Sequence, residues 1–166
     1  MSEPRIPPGR VPFERVVGEH GTVVWRVCRG LLAQHDAEDA WSETFLAAMA
    51  AWDRFEPGGN VRGWLVTIAH RKAIDVLRAH GRDPVPTGDL PEGPTSLGVP
   101  DGRDLDLWDA LGALPPRQRT AVVQHHLGGL PFSDVAELTG TTPAAARKAA
   151  SDGVARLRTL LGKDQT

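Results

Sequence analysis

Trp64, Thr67, Arg71, Asp75, Arg78 and Arg82 recur every three or four residues within one stretch, residues 60–82. At about 100° per residue they share one arc of a helix. That arc offers three arginines, an indole, a hydroxyl and a carboxylate. Cations neutralise phosphates and a flat ring stacks on a base, so the combination suits a strand of nucleic acid. An ordinary solvated basic face has the same periodicity, and spacing alone leaves both readings open. Val61, Leu65, Ile68, Ala69, Ala73 and Val76 fall on the opposite arc as a core face, and Gly81 stands where the helix should stop. The segment ahead of it, residues 54–60, is a loop by its Pro-Gly-Gly content, which lets backbone approach a ligand closely.

Other chemistry finds little support. His125 and His126 are adjacent and should point apart on a helix, while His20, His35, His70 and His80 lack the spacing of a metal site. No phosphate loop is present. Cys28, the single cysteine, lies among apolar residues and reads as core. No enzyme, cofactor or metal is expected. With one cysteine there is no intrachain disulfide, and a reducing compartment is the default. The longest apolar run, residues 45–52, is too short to span a bilayer. Residues 1–12 read as a flexible lead without the apolar core of a signal peptide, so a cytoplasmic location is expected.

A net charge of −2 over 166 residues is unusual for a general nucleic-acid binder. Local charge is more informative. Residues 36–56 hold six acids and one base, whereas residues 62–82 hold five bases and one acid. Neighbouring segments of opposite sign suggest two different partners.

The elements that position these faces follow from pattern and punctuation. Residues 13–32 are helical in pattern, and Gly18 and Gly21 should divide them into two short helices. Asp36 suits an N-cap, with Asp39 resembling a capping box. The helix it starts runs to about Trp52, with Trp41, Phe45, Ala48, Met49 and Trp52 on one buried face. Residues 83–104 are rich in proline and glycine and hold five acids against Arg103, which reads as a flexible acidic linker between two domains. A helix follows near residues 105–111. Pro116 then suits a first-turn position, and Gly128-Gly129 ends the helix it opens. Ser133 should cap a short helix. A Thr139-Gly140-Thr141 turn follows, Thr142 caps again, and Pro143 opens a longer helix through about Leu161 with Ala146, Ala150, Val154, Leu157 and Leu161 inside.

A short helix, a glycine turn and a capped longer helix form the helix-turn-helix pattern, although a plain helical hairpin shares it. Its second helix would offer Ala144, Ala145, Arg147, Lys148 and Ser151 to a major groove. Arg147 suits a guanine edge or a phosphate, and Lys148 a phosphate. Asp152 would repel phosphates if it faced DNA.

In this order the two domains resemble an extracytoplasmic-function sigma factor of bacterial RNA polymerase, over residues 13–161. The likeness rests on Asp36-Ala37-Glu38-Asp39-Ala40-Trp41-Ser42-Glu43-Thr44-Phe45, on Trp52-Asp53-Arg54-Phe55, and on Gly63-Trp64-Leu65 running on to Asp75-Val76-Leu77-Arg78. Leu114-Pro115-Pro116-Arg117-Gln118-Arg119 adds the start of the second domain. Each motif alone is weak; the ordered set is strong.

The resemblance implies an all-α fold of two small helical domains: a sigma region 2 bundle over 13–82 and a region 4 helix-turn-helix over 105–166, joined by the 83–104 linker. It implies that Asp39, Glu43, Thr44 and Phe45 dock on the clamp helices of the polymerase's largest subunit. Arg54, Phe55, Asn60, Arg62, Trp64, Thr67, His70 and Arg71 would melt and hold the minus-ten element, with Arg78 and Arg82 tracking phosphates. Thr142, Ala144, Ala145, Arg147, Lys148 and Ser151 would read the minus-thirty-five element while the second domain sits on the flap of the second-largest subunit. An anti-sigma protein is a further implied partner. Ala149, Asp152 and Val154 stand where the family commonly has bases, and Arg71 where it often has asparagine. The other reading is a dimeric helix-turn-helix regulator that is not a polymerase subunit; it would leave the acidic helix and acidic linker without a task.

Overall fold

A computed structural model describes residues 11–81 and 102–162. Arg82, nearly all of the expected N-terminal lead and most of the expected acidic linker lie outside them. Among the described residues every regular element is helical, in two units. The first holds α1 (Phe13–Leu31), α2 (Gln34–Ala51), a 3-10 turn (Trp52–Arg54) and α3 (Val61–Ala79). The second holds α4 (Gly102–Gly112), α5 (Pro116–Val122), a π turn (Val123–Leu127), α6 (Phe132–Thr139) and α7 (Pro143–Gly162). The expected all-α class stands.

The first unit is a three-helix bundle around Val24, Val27, Ala37, Ala48, Leu65 and Ala69, all essentially inaccessible. Burying each larger apolar side chain contributes about 1.5–3 kcal/mol, which outweighs the weak propensities of a glycine-bearing helix. That balance explains α1, which is one continuous 19-residue helix and not two. Gly21 is held in register by Trp41, whose Nε1 donates to the Gly21 carbonyl at 2.9 Å. Gly18 meets nothing within 4 Å.

The start of α2 also differs from expectation. Its N-cap is Ala33, so Asp36 lies in the first turn, where it favours the helix dipole and pairs with His80 at 3.3 Å. At the other end Met49 is exposed, while Phe45 and Trp52 are buried as expected. α3 has the expected inner face at Leu65, Ala69 and Ala73, with Val61, Ile68 and Val76 half-buried. It stops where predicted, with Gly81 at φ 71°.

In the second unit Pro116 occupies the first turn of α5, and Gly140 takes the left-handed conformation at φ 67° that closes α6. Thr142 Oγ1 accepts from the Ala145 amide at 3.1 Å, capping α7. Ser133 caps nothing, because Pro131 precedes α6 and Phe132 begins it. The helix after α5 loosens into a π turn. There the His125 and His126 rings meet edge to face at 4.8 Å instead of pointing apart.

The two units pack against each other. Gly30 and Gly128 let the units come close: a Cβ on Gly30 would lie 2.7 Å from Val123, and one on Gly128 2.8 Å from Val66. Arg119 Nε donates to the Gly30 carbonyl at 2.6 Å and Arg62 Nε to the Gly128 carbonyl at 3.2 Å.

Candidate nucleic-acid interface

α3 begins where Asn60 caps it. The Asn60 Oδ1 accepts from the Gly63 amide at 3.0 Å. Gly63 makes this possible, since a Cβ there would sit 2.6 Å from the Asn60 side chain. The preceding loop folds on an aromatic stack: Trp52 and Phe55 are 5.6 Å apart and nearly parallel, and Phe55 and Trp64 are 4.6 Å apart. Gly59 lies so close behind Phe55 that a Cβ would reach 2.9 Å from the ring. The stack fixes the indole of Trp64 at the start of α3 while leaving it half-exposed.

From Trp64 the outer face of α3 continues through Thr67, Arg71, Asp75 and Arg78 along one wall of a groove of about 770 Å³. Arg71 and Arg78 are exposed. The indole and both guanidinium groups therefore share one wall, as a strand carrying phosphates and bases requires. The opposite wall belongs to α6, with Asp134, Glu137 and Leu138.

The other residues expected to meet the strand divide. Arg54 is exposed on the 3-10 turn and Phe55 is half-buried in the stack. Thr67 turns its hydroxyl back to the Gly63 carbonyl at 2.8 Å, and Arg62 is directed to Gly128 in the other unit. His70 is held from the second unit. It is only 6% exposed, and Gln124 Nε2 donates to its Nδ1 at 2.8 Å. Burial, reinforced by the charge of Arg71, pushes the imidazole pKa down to about 4, so His70 is neutral. It belongs to the seam between the units and also lines the groove. Gln124 Oε1, equally buried, has no hydrogen-bond partner among the described residues.

On α2, Asp39 and Glu43 are exposed; Glu43 lies 3.9 Å from Lys72 and Asp39 3.8 Å from His35. Thr44 and Phe45 do not present themselves to a partner. Thr44 is fully buried and bonded to the Ala40 carbonyl at 2.7 Å, and Phe45 packs on Trp41 and Phe13. Leu46 and Met49 are exposed instead, at 57% and 55%. Helical spacing puts Leu46 on the arc of Asp39 and Glu43 and Met49 at its margin, a signal that the sequence carried.

On α7, Thr142, Ala144, Ala145, Arg147, Lys148 and Ser151 are all exposed on one end of the helix. Lys148 Nζ is paired with Asp152 at 3.0 Å. Arg147 lies 5.3 Å over the ring of Phe132. Among the described residues no cluster of side chains is arranged to hold a metal ion, and no helix is long and apolar enough to cross a membrane.

Residues 16–83 match the family described as Sigma-70 region 2, and residues 104–157 the family described as Sigma-70, region 4. The chain is 39% identical over 133 residues to RNA polymerase sigma factor CarQ of Myxococcus xanthus, a match covering 76% of this chain and 75% of that one. It is 30% identical over 162 residues to the ECF RNA polymerase sigma factor SigE of Mycolicibacterium smegmatis, covering 91% of this chain and 62% of SigE. Among solved structures it is similar to the sigma factor RpoE in complex with the anti-sigma factor NepR from Bartonella quintana, with a TM-score of 0.69 and 27% identity over 92% of this chain and 98% of that one. CnrH in complex with the cytosolic domain of CnrY gives a TM-score of 0.64 and 25% identity, covering 92% of this chain and 89% of that one.

Proposed function

The chain belongs to the extracytoplasmic-function sigma factors, and from that premise we infer that it binds core RNA polymerase and directs promoter recognition, melting and transcription initiation. It is an initiation factor and not an enzyme. One observation carries the reading: Trp64, Arg71 and Arg78 stand together on one groove wall, within the segment that matches region 2. During melting a base leaves the stack and rests against protein while cations neutralise the backbone. Trp64, backed by Phe55 and Trp52, supplies the platform, and Arg71 and Arg78 supply the charge. Asn60 and Thr67 line the same groove, Arg54 and Arg62 would join the path from the loop side, and Arg82 would extend it beyond the described residues.

The docking face for the polymerase clamp helices is Asp39 and Glu43 together with Leu46 and Met49. Charges at the rim and two accessible apolar side chains beside them are the usual make-up of a protein contact. The second unit reads the upstream element with Arg147, Lys148 and Ser151 from the N-terminal end of α7, where Thr142, Ala144 and Ala145 leave room for close approach, and contacts the polymerase flap. An anti-sigma protein is a further partner, a reading supported by the RpoE relative of similar fold, which was solved with the anti-sigma factor NepR. The working location is the cytoplasm, where the polymerase is.

A dimeric repressor is not favoured, because a region 2 bundle with a strand-holding face would then have no task. The test is gel filtration of the purified chain with core polymerase, followed by transcription from a promoter library. Co-elution and promoter-dependent transcripts are expected. A dimer that binds duplex DNA and ignores the polymerase would overturn the assignment.

A further inference from the structure

Phe132, the first residue of α6, joins two side chains from different elements. The His125 ring stacks on it with centroids 3.8 Å apart and planes 18° apart. His125 is itself fixed, since its Nδ1 is 2.8 Å from the Leu130 carbonyl, to which it donates. The Arg147 guanidinium lies 5.3 Å from the centre of the same ring. The other cation on this end of α7, Lys148, is neutralised by Asp152. Arg147 has no carboxylate partner among the described residues, and its side chain is exposed.

A guanidinium resting on an aromatic ring uses its flat face and keeps its in-plane donors free. Those donors are the fork that meets O6 and N7 of guanine in a major groove. Such an arrangement restricts the swing of a long side chain without occupying the atoms that read a base.

We propose that Phe132 is a positioning residue for promoter reading: backed by His125, it holds Arg147 with its fork presented to a guanine of the upstream duplex. The proposal rests on the assignment of α7 as the reading helix. Phe132 itself touches no base. Its effect is confined to the base pair that Arg147 meets, which separates positioning from a general role in folding.

The experiment uses holoenzyme assembled from the full chain and core polymerase, on a promoter library randomised across the upstream element, with transcripts sequenced. Preferences are ratios within one variant, so a smaller folded fraction cancels. Arg147→Ala is expected to lower the preference for guanine at one position by about tenfold or more. Phe132→Leu is expected to lower that same preference by about two- to fivefold and leave other positions unchanged. Phe132→Tyr, which keeps a ring, should retain it. If Phe132→Leu lowers transcription from all sequences alike, or leaves that preference intact, the positioning role is overturned while that of Arg147 stands. If Arg147→Ala changes no preference at all, the assignment of the reading helix falls, and the role of Phe132 with it.

Discussion

Gln124 and His70, separated by 54 positions in sequence, meet through a 2.8 Å hydrogen bond in which the amide donates to the imidazole Nδ1. Each comes from a different helical unit, and both are buried. The bond requires a neutral imidazole, and burial ensures one.

Stability should therefore fall in mild acid. The His70 pKa drops from 6.5 to about 4 on folding, chiefly through burial. Between those values the unfolded chain binds more protons, so stability rises with pH and is lost as pH falls from about 6.5 towards 4. The full loss is on the order of 3 kcal/mol. His126, lowered in the same direction by partial burial and by His125, adds to the slope. Urea denaturation between pH 7.5 and 4.5 should show a shallower slope for His70→Gln than for the parent; parallel slopes would remove His70 from the account.

Two glycines should respond to alanine with opposite sign. At Gly30 the new methyl would meet Val123 at 2.7 Å, and Gly30→Ala should destabilise by about 1–3 kcal/mol. Gly18 lies inside α1 with nothing within 4 Å, so Gly18→Ala should stabilise by about 0.5–1 kcal/mol. Thermal melts of the two variants decide; a stabilised Gly30→Ala would mean that the seam yields freely.

Opening and docking should separate by mutation. Arg71→Ala combined with Arg78→Ala is expected to reduce formation of the open promoter complex at least tenfold, with little change in polymerase affinity. Leu46→Asp with Met49→Asp should do the reverse, weakening co-elution with core polymerase by about tenfold, as loss of a hot-spot residue does. Permanganate footprinting and fluorescence anisotropy measure the two. Equal loss of both properties in either variant would contradict the division between α3 and α2.

Asp152 should act as a brake on duplex affinity, since it neutralises Lys148 at 3.0 Å. Asp152→Asn is expected to strengthen holoenzyme binding to upstream duplex a few-fold irrespective of sequence, and to steepen the salt dependence by about one phosphate contact. A salt titration that leaves the slope unchanged would show that Lys148 reaches the backbone despite its partner.

The two arcs of α3 were legible because a long amphipathic helix repeats its pattern over five turns. Pro116, Gly140, Thr142 and Gly81 punctuate the chain by local backbone chemistry that needs no tertiary context. What remained hidden depends on distant neighbours. α1 runs through its glycines because Trp41 packs across Gly21, which periodicity cannot register. His70 lies next to Arg71 in sequence, yet the second unit buries one and leaves the other in solvent. Thr44 and Phe45 sit in a motif associated with polymerase binding, but their directions on α2 send them into the bundle and leave Leu46 and Met49 outside.

Gln124 makes one good bond at the seam, and its carbonyl oxygen has no hydrogen-bond partner among the described residues. The same side chain thus joins α3 to the second unit through its amide nitrogen alone.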